Sequence, residues 1–67
     1  METTEQVGVT AGEVWHILND HGPQTLAQVK KRLNGSGELV GFALGWLARE
    51  DKIEISQEKK TFKVALK

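Results

Sequence analysis

There is no cysteine among the 67 residues, so no disulfide can brace the fold. Tiny extracellular domains built without disulfides are uncommon, and that points to the cytoplasm. No apolar run approaches the roughly 20 residues that a membrane span needs, and no basic-then-apolar leader precedes residue 10. Neither a transmembrane helix nor a signal peptide is therefore expected, and no membrane partner. Net charge is lacking too: nine Lys and Arg balance nine Asp and Glu, which excludes a protein that embraces nucleic acid over its whole surface by bulk attraction. Length is also scarce. A chain of this size makes one domain, and below roughly 70–80 residues a single core seldom supplies more than about 3–5 kcal/mol, so a metal, tight helix packing or a partner subunit usually helps.

The charges that are present are unevenly placed. Residues 1–29 hold Glu2, Glu5, Glu13 and Asp20 with no Lys or Arg, while all nine basic residues fall from Lys30 onward against five acids. The chain is acidic first and basic last.

Hydrophobic spacing orders the elements. Residues 1–9 are polar and without clear period, and read as a flexible N-terminal arm ahead of a domain over residues 10–67. Thr10 with Glu13 has the form of a capping box, in which each side chain bonds the other residue's backbone N–H. Ala11, Val14 and Leu18 then share a helical face, with Trp15 and Ile17 flanking it, until Gly22 and Pro23 end the helix. Thr25 and Gln28 repeat the capping pattern before a second helix with Leu26, Val29 and Leu33 on its apolar stripe. Asn34-Gly35 reads as a turn, and Ser36 as the cap of a third helix reaching about Glu50. Past Asp51-Lys52 the period becomes two: Ile53 and Ile55, then Phe62, Val64 and Leu66, alternate with polar or small residues. That predicts a hairpin. Its tip, Gln57 to Lys60, has no glycine, which predicts a loop longer than two residues.

Three helices followed by a two-stranded antiparallel ribbon is the element order of an α+β winged helix-turn-helix, a three-helix core with a wing. The segment Leu44–Glu54 (LGWLAREDKIE) resembles the end of a winged-helix recognition helix running into its wing. Taken with Ala11–Trp15 (AGEVW), it resembles a group of short, free-standing prokaryotic winged-helix proteins of uncharacterised function. Such turns commonly carry Gly where this chain has Asp51, a workable substitute if the backbone there is left-handed. The resemblance implies a DNA-binding, transcription-regulator-like domain whose third helix enters the major groove.

Reading bases takes Arg, Lys, Asn or Gln in paired hydrogen bonds; from Ser36 to Ala48 the only charged side chain is Glu38, and Arg49 comes late. Val40, Ala43, Leu44 and Leu47 form the face expected to pack on the other helices. Leu39, Phe42 and Trp46 lie together on a flank. Either the wing and arm cover that flank, or it is a partner surface, most simply a homodimer interface. Gly37, Gly41 and Gly45 share the remaining face, although each interior glycine costs a helix about 1 kcal/mol. Helix contact, a nucleic-acid backbone and simple tolerance are all compatible with them.

Lys30, Lys31, Arg32 and Ser36, with Lys59, Lys60 and Lys63 of the wing, are the candidate DNA-contacting residues, since these regions flank the third helix and can hold phosphates on either side. Ordinary solubility and protection of the hairpin edge account for the same lysines. Two readings follow: weak or shape-based recognition of double-stranded DNA, or a protein-contact winged helix that forms a homodimer without binding DNA. No catalytic residue is expected. His16 and Asp20 are one turn apart, but His21 lies on roughly the opposite side of the helix, so no metal site is expected. Gly35-Ser36-Gly37 lacks the Gly-Lys-Ser/Thr ending and the preceding strand of a phosphate loop. No cofactor and no small-molecule ligand are predicted.

Overall fold

Helix α1 spans Thr3–His21 and buries Ala11, Val14 and Leu18, the three residues whose spacing places them on one face. A computed structural model describes residues 2–33 and 37–67, and it corrects where this helix begins. Residues 3–9, expected in the flexible arm, are helical, with the Gln6 N–H donating to the Glu2 carbonyl at 3.0 Å. Thr10 is thus a mid-helix residue and not a cap. The reason is Val7, half-buried and four residues before Ala11, which carries the apolar stripe a turn further. Once packing holds a helix, each added residue gains a hydrogen bond without a new nucleation cost. Gly22 ends α1 as expected, with φ 76° and its N–H on the Leu18 carbonyl at 2.9 Å; glycine reaches that φ without strain.

Strand β1, Gln24–Thr25, was not foreseen. It pairs antiparallel with β3 (Thr61–Leu66), placing Gln24 opposite Val64, and β3 also pairs with β2 (Ile53–Glu58). The wing ribbon is thereby the larger part of a three-stranded sheet ordered β1-β3-β2. Helix α2, Leu26–Leu33, follows β1 directly. Its predicted capping box is formed: the Gln28 N–H donates to Thr25 Oγ1 at 3.1 Å and the Thr25 N–H to Gln28 Oε1 at 2.9 Å.

Helix α3, Gly37–Arg49, buries Val40, Ala43, Leu44 and Leu47, the four expected. Val14, Val29, Val40 and Val64, drawn from all three helices and the sheet, are the largest fully buried side chains. Asp51 closes α3 at φ 60°. Its N–H donates to the Ala48 carbonyl and that of Lys52 to the Leu47 carbonyl, both at 3.0 Å. That pair of bonds is a Schellman motif with aspartate in the position glycine usually takes. The Asp51 carboxylate also binds the Lys67 ammonium. That hydrogen bond, and then the charge itself, hold Lys67 above its ordinary pKa.

The hairpin tip overturns a second expectation. Glu58 stands opposite Thr61, so Lys59 and Lys60 form a two-residue turn, with Lys59 at φ 54° supplying the left-handed residue that glycine would normally supply. A left-handed β-carbon costs roughly 1–2 kcal/mol, partly offset by the greater chain entropy that glycine loses on folding. Lys59→Gly should therefore raise stability by up to about 1 kcal/mol, read as a higher urea midpoint at unchanged slope. A lower midpoint would show that Lys59 is not strained. Among the described residues, no helix is long and apolar enough to cross a membrane.

Candidate nucleic-acid interface

The basic end of α2 is positioned by its surroundings. Gln24, the buried polar side chain of β1, donates from Nε2 to the Pro23 carbonyl at 3.0 Å and accepts from Arg32 Nε at 3.1 Å. Arg32 is thus fixed through Nε, with its two terminal amino groups left for an external acceptor. Sequence reasoning missed Gln24, because a polar residue in an isolated two-residue strand carries no periodic signal. Lys31 is exposed beside it. Lys30 lies along the start of α3, its Cε 3.7 Å from where a Gly37 β-carbon would sit.

α2, α3 and the hairpin meet around one groove of about 310 Å³, lined by Leu26 and Lys30, by Gly41 and Gly45, and by Ile55 and Phe62. Ile55 and Phe62 share the core-facing side of the hairpin with Ile53 and Val64, but they extend past the helices and are 42% and 43% exposed. A β-carbon on Gly41 or Gly45 would meet nothing within 4 Å. Helix contact inside the chain therefore does not explain these glycines, and only tolerance or an external molecule remains. Lys59 and Lys60 are exposed at the tip of the hairpin that walls the groove. Lys63 is exposed as well, but Glu58 Oε1 lies 4.0 Å from its ammonium and answers part of its charge. Ser36 and the Asn34-Gly35 turn lie outside the described residues.

The exposed residues of α3 are Gly37, Glu38, Gly41, Phe42, Gly45, Trp46, Ala48 and Arg49. They offer no Asn, Gln or Lys, and their one Arg is in the last turn, so they lack the paired donors and acceptors that discriminate bases. Of the expected partner flank, Phe42 is 59% and Trp46 49% exposed, while Leu39 is half-buried; the wing does not cover it. On α1, His16 lies edge-on to Trp15 with ring centroids 5.4 Å apart, and His21 sits in the last turn.

Three helices leading into an antiparallel hairpin is an arrangement with known relatives. A family model described as a winged helix-turn-helix domain, DUF2582, matches residues 1–66. The chain belongs to that family. It is 40% identical over 65 residues to the uncharacterised protein MJ1608 of Methanocaldococcus jannaschii, a match covering 92% of this chain and 91% of that one. It is also similar to the solution NMR structure of protein BT2368 from Bacteroides thetaiotaomicron, with a TM-score of 0.83 and 32% identity over 97% of this chain and 79% of the other. The fold is shared with the Bacteroides protein, and the family match agrees with the resemblance to short prokaryotic winged helices. In this winged helix, α3 occupies the position of the recognition helix and β2–β3 that of the wing.

Proposed function

We propose that this winged helix is a non-catalytic, cytoplasmic DNA-binding module of the transcription-regulator type that grips phosphates and recognises duplex shape, not base sequence. One observation carries the reading. Exposed cations border the glycine face of α3, Lys30 lining the groove from α2 with Lys31 and Arg32 next along that helix, and Lys59 and Lys60 at the tip of the hairpin that walls it, while α3 offers one arginine, in its last turn, and no Asn, Gln or Lys. Phosphate contacts supply affinity and orientation without sequence information. With Gly41 and Gly45 open, a backbone can approach α3 more closely than over larger side chains.

The test is a titration of isotope-labelled protein with a mixed-sequence duplex at low and at moderate salt. Amides of residues 30–33 and 59–63 should shift at low salt, with affinity falling steeply as salt rises and little preference among sequences. An unperturbed spectrum at low salt would reject DNA binding. It would leave the second reading, a homodimeric protein-contact winged helix that binds no DNA, which the exposure of Phe42 and Trp46 favours.

A further inference from the structure

On the flank of α3 that faces α1, a second groove of about 310 Å³ is floored by Gly8 and Gly12 and walled by Trp15 and Trp46. A β-carbon on either glycine would meet nothing within 4 Å, so the monomer does not require glycine there. Yet each interior glycine costs a helix about 0.5–1 kcal/mol relative to alanine. The walls are large and open: Trp15 is 36% and Trp46 49% exposed, with Phe42 one turn before Trp46. Together these three rings expose on the order of 300 Å² of mostly apolar surface.

The floor is also uncharged. Thr4, Gly8, Gly12, Trp15 and Asn19 recur at i, i+4, i+8, i+11 and i+15 and line one side of α1. Glu5 borders this face beyond Gly12, and His16 and Lys52 also line the groove.

We propose that a second copy of this chain covers this face in a twofold homodimer, the tryptophans of one copy seating over Gly8 and Gly12 of the other. A twofold contact uses the same patch twice, so the patch must carry both the projection and the recess that receives it; this one does. A twofold axis running along α1 sets the Lys52 side of one copy opposite the Glu5 side of its partner, so opposite charges meet at the rim. With nine charges of each sign, whole copies do not repel one another. A standard interface covers about 800 Å² per partner, roughly a sixth of the 4687 Å² this chain exposes. A compact monomer of 7.4 kDa is expected to expose only about 4,200 Å², so there is surplus surface to cover. The inference is independent of DNA binding, because the groove of α2, α3 and the wing lies on the other flank of α3.

Sedimentation velocity from low to high micromolar protein tests it on three chains. These are the wild type, the Gly8→Gln/Gly12→Gln variant and, as control, Gly41→Gln/Gly45→Gln on the opposite flank. Glutamine is a good helix former and its β-carbon meets nothing within 4 Å at these positions in the monomer, so circular dichroism should show both variants folded. The wild type and the control should reach twice the 7.4 kDa mass of the chain, and the Gly8/Gly12 variant should remain a monomer. Both tryptophans of the chain lie at this face, so their emission should shift to the blue with concentration in the wild type and the control only. A wild type that stays monomeric at high micromolar concentration overturns the proposal, and so does a Gly8/Gly12 variant that still dimerises.

Discussion

Leu18→Ala should leave this domain largely unfolded at room temperature. Leu18 is 2% exposed in the last buried turn of α1 and belongs to the cluster that joins α1 to Val29, Val40 and Val64. Truncating a fully buried leucine costs about 2–5 kcal/mol, part of it the lost transfer of apolar atoms from water and part the cavity left behind. A core in a chain this short seldom supplies more than about 3–5 kcal/mol in all, so the loss is of the same size as the reserve. Leu26 provides the comparison. It is only half-buried at the edge of the same cluster, and Leu26→Ala should cost about half as much, leaving a cooperative urea transition at a lower midpoint. Far-UV circular dichroism with urea titration separates the two cases. If Leu18→Ala melted within a few degrees of the wild type, stability would have to reside outside the cluster. Should the chain dimerise as proposed, the measurement belongs at low micromolar concentration, where association contributes least to the apparent stability.

How far the fold can be read from the residues depends on whether the deciding interaction is local. The Thr25–Gln28 capping box is legible because both partners fall within one turn, and the order of helices and hairpin is legible because each element keeps its period over several residues. Asp51 is legible for a related reason: a helix stop followed at once by a strand needs a left-handed residue. The start of α1 is not legible, because the Thr10/Glu13 pattern is equally local and yet half-buried Val7 continues the apolar stripe, and the helix, a turn ahead of it. The wing tip was misread because Lys59 adopts a left-handed conformation that the register of β2 with β3 imposes, and no residue type at that position announces it. Of the candidate site, the basic residues were visible as a cluster along the chain. The bond from Arg32 to Gln24 was not, since it links residues on different elements. The groove beneath Trp15 and Trp46 also went unread, although the spacing of Gly8 and Gly12 at i and i+4 on an otherwise regular helix was a signal for it.

Replacing Lys30, Lys31, Lys59 and Lys60 together with alanine should abolish nearly all of the salt-sensitive DNA affinity while leaving the fold intact. All four side chains are exposed, and exposed substitutions of this kind change stability by about 0.5 kcal/mol or less. Each cation seated on a phosphate contributes about 0.9 to the slope of log affinity against log salt. With Arg32, five such contacts give a slope near −4.5, so binding should weaken about 500-fold between 50 and 200 mM salt. Arg32 alone retains a slope near −0.9, a weakening of only about threefold over the same range. Lys63→Ala should change the slope much less than any of these lysines, because Glu58 already answers part of its charge. Gln24→Ala tests positioning: Arg32 keeps its charge but loses the hydrogen bond that fixes it, so the slope should fall by up to about 0.9. A purely structural role for Gln24 would lower the urea midpoint and leave the slope alone. A quadruple variant that keeps the wild-type slope would show that the phosphates are held elsewhere on the domain, and the interface assigned to α2 and the wing would have to be abandoned.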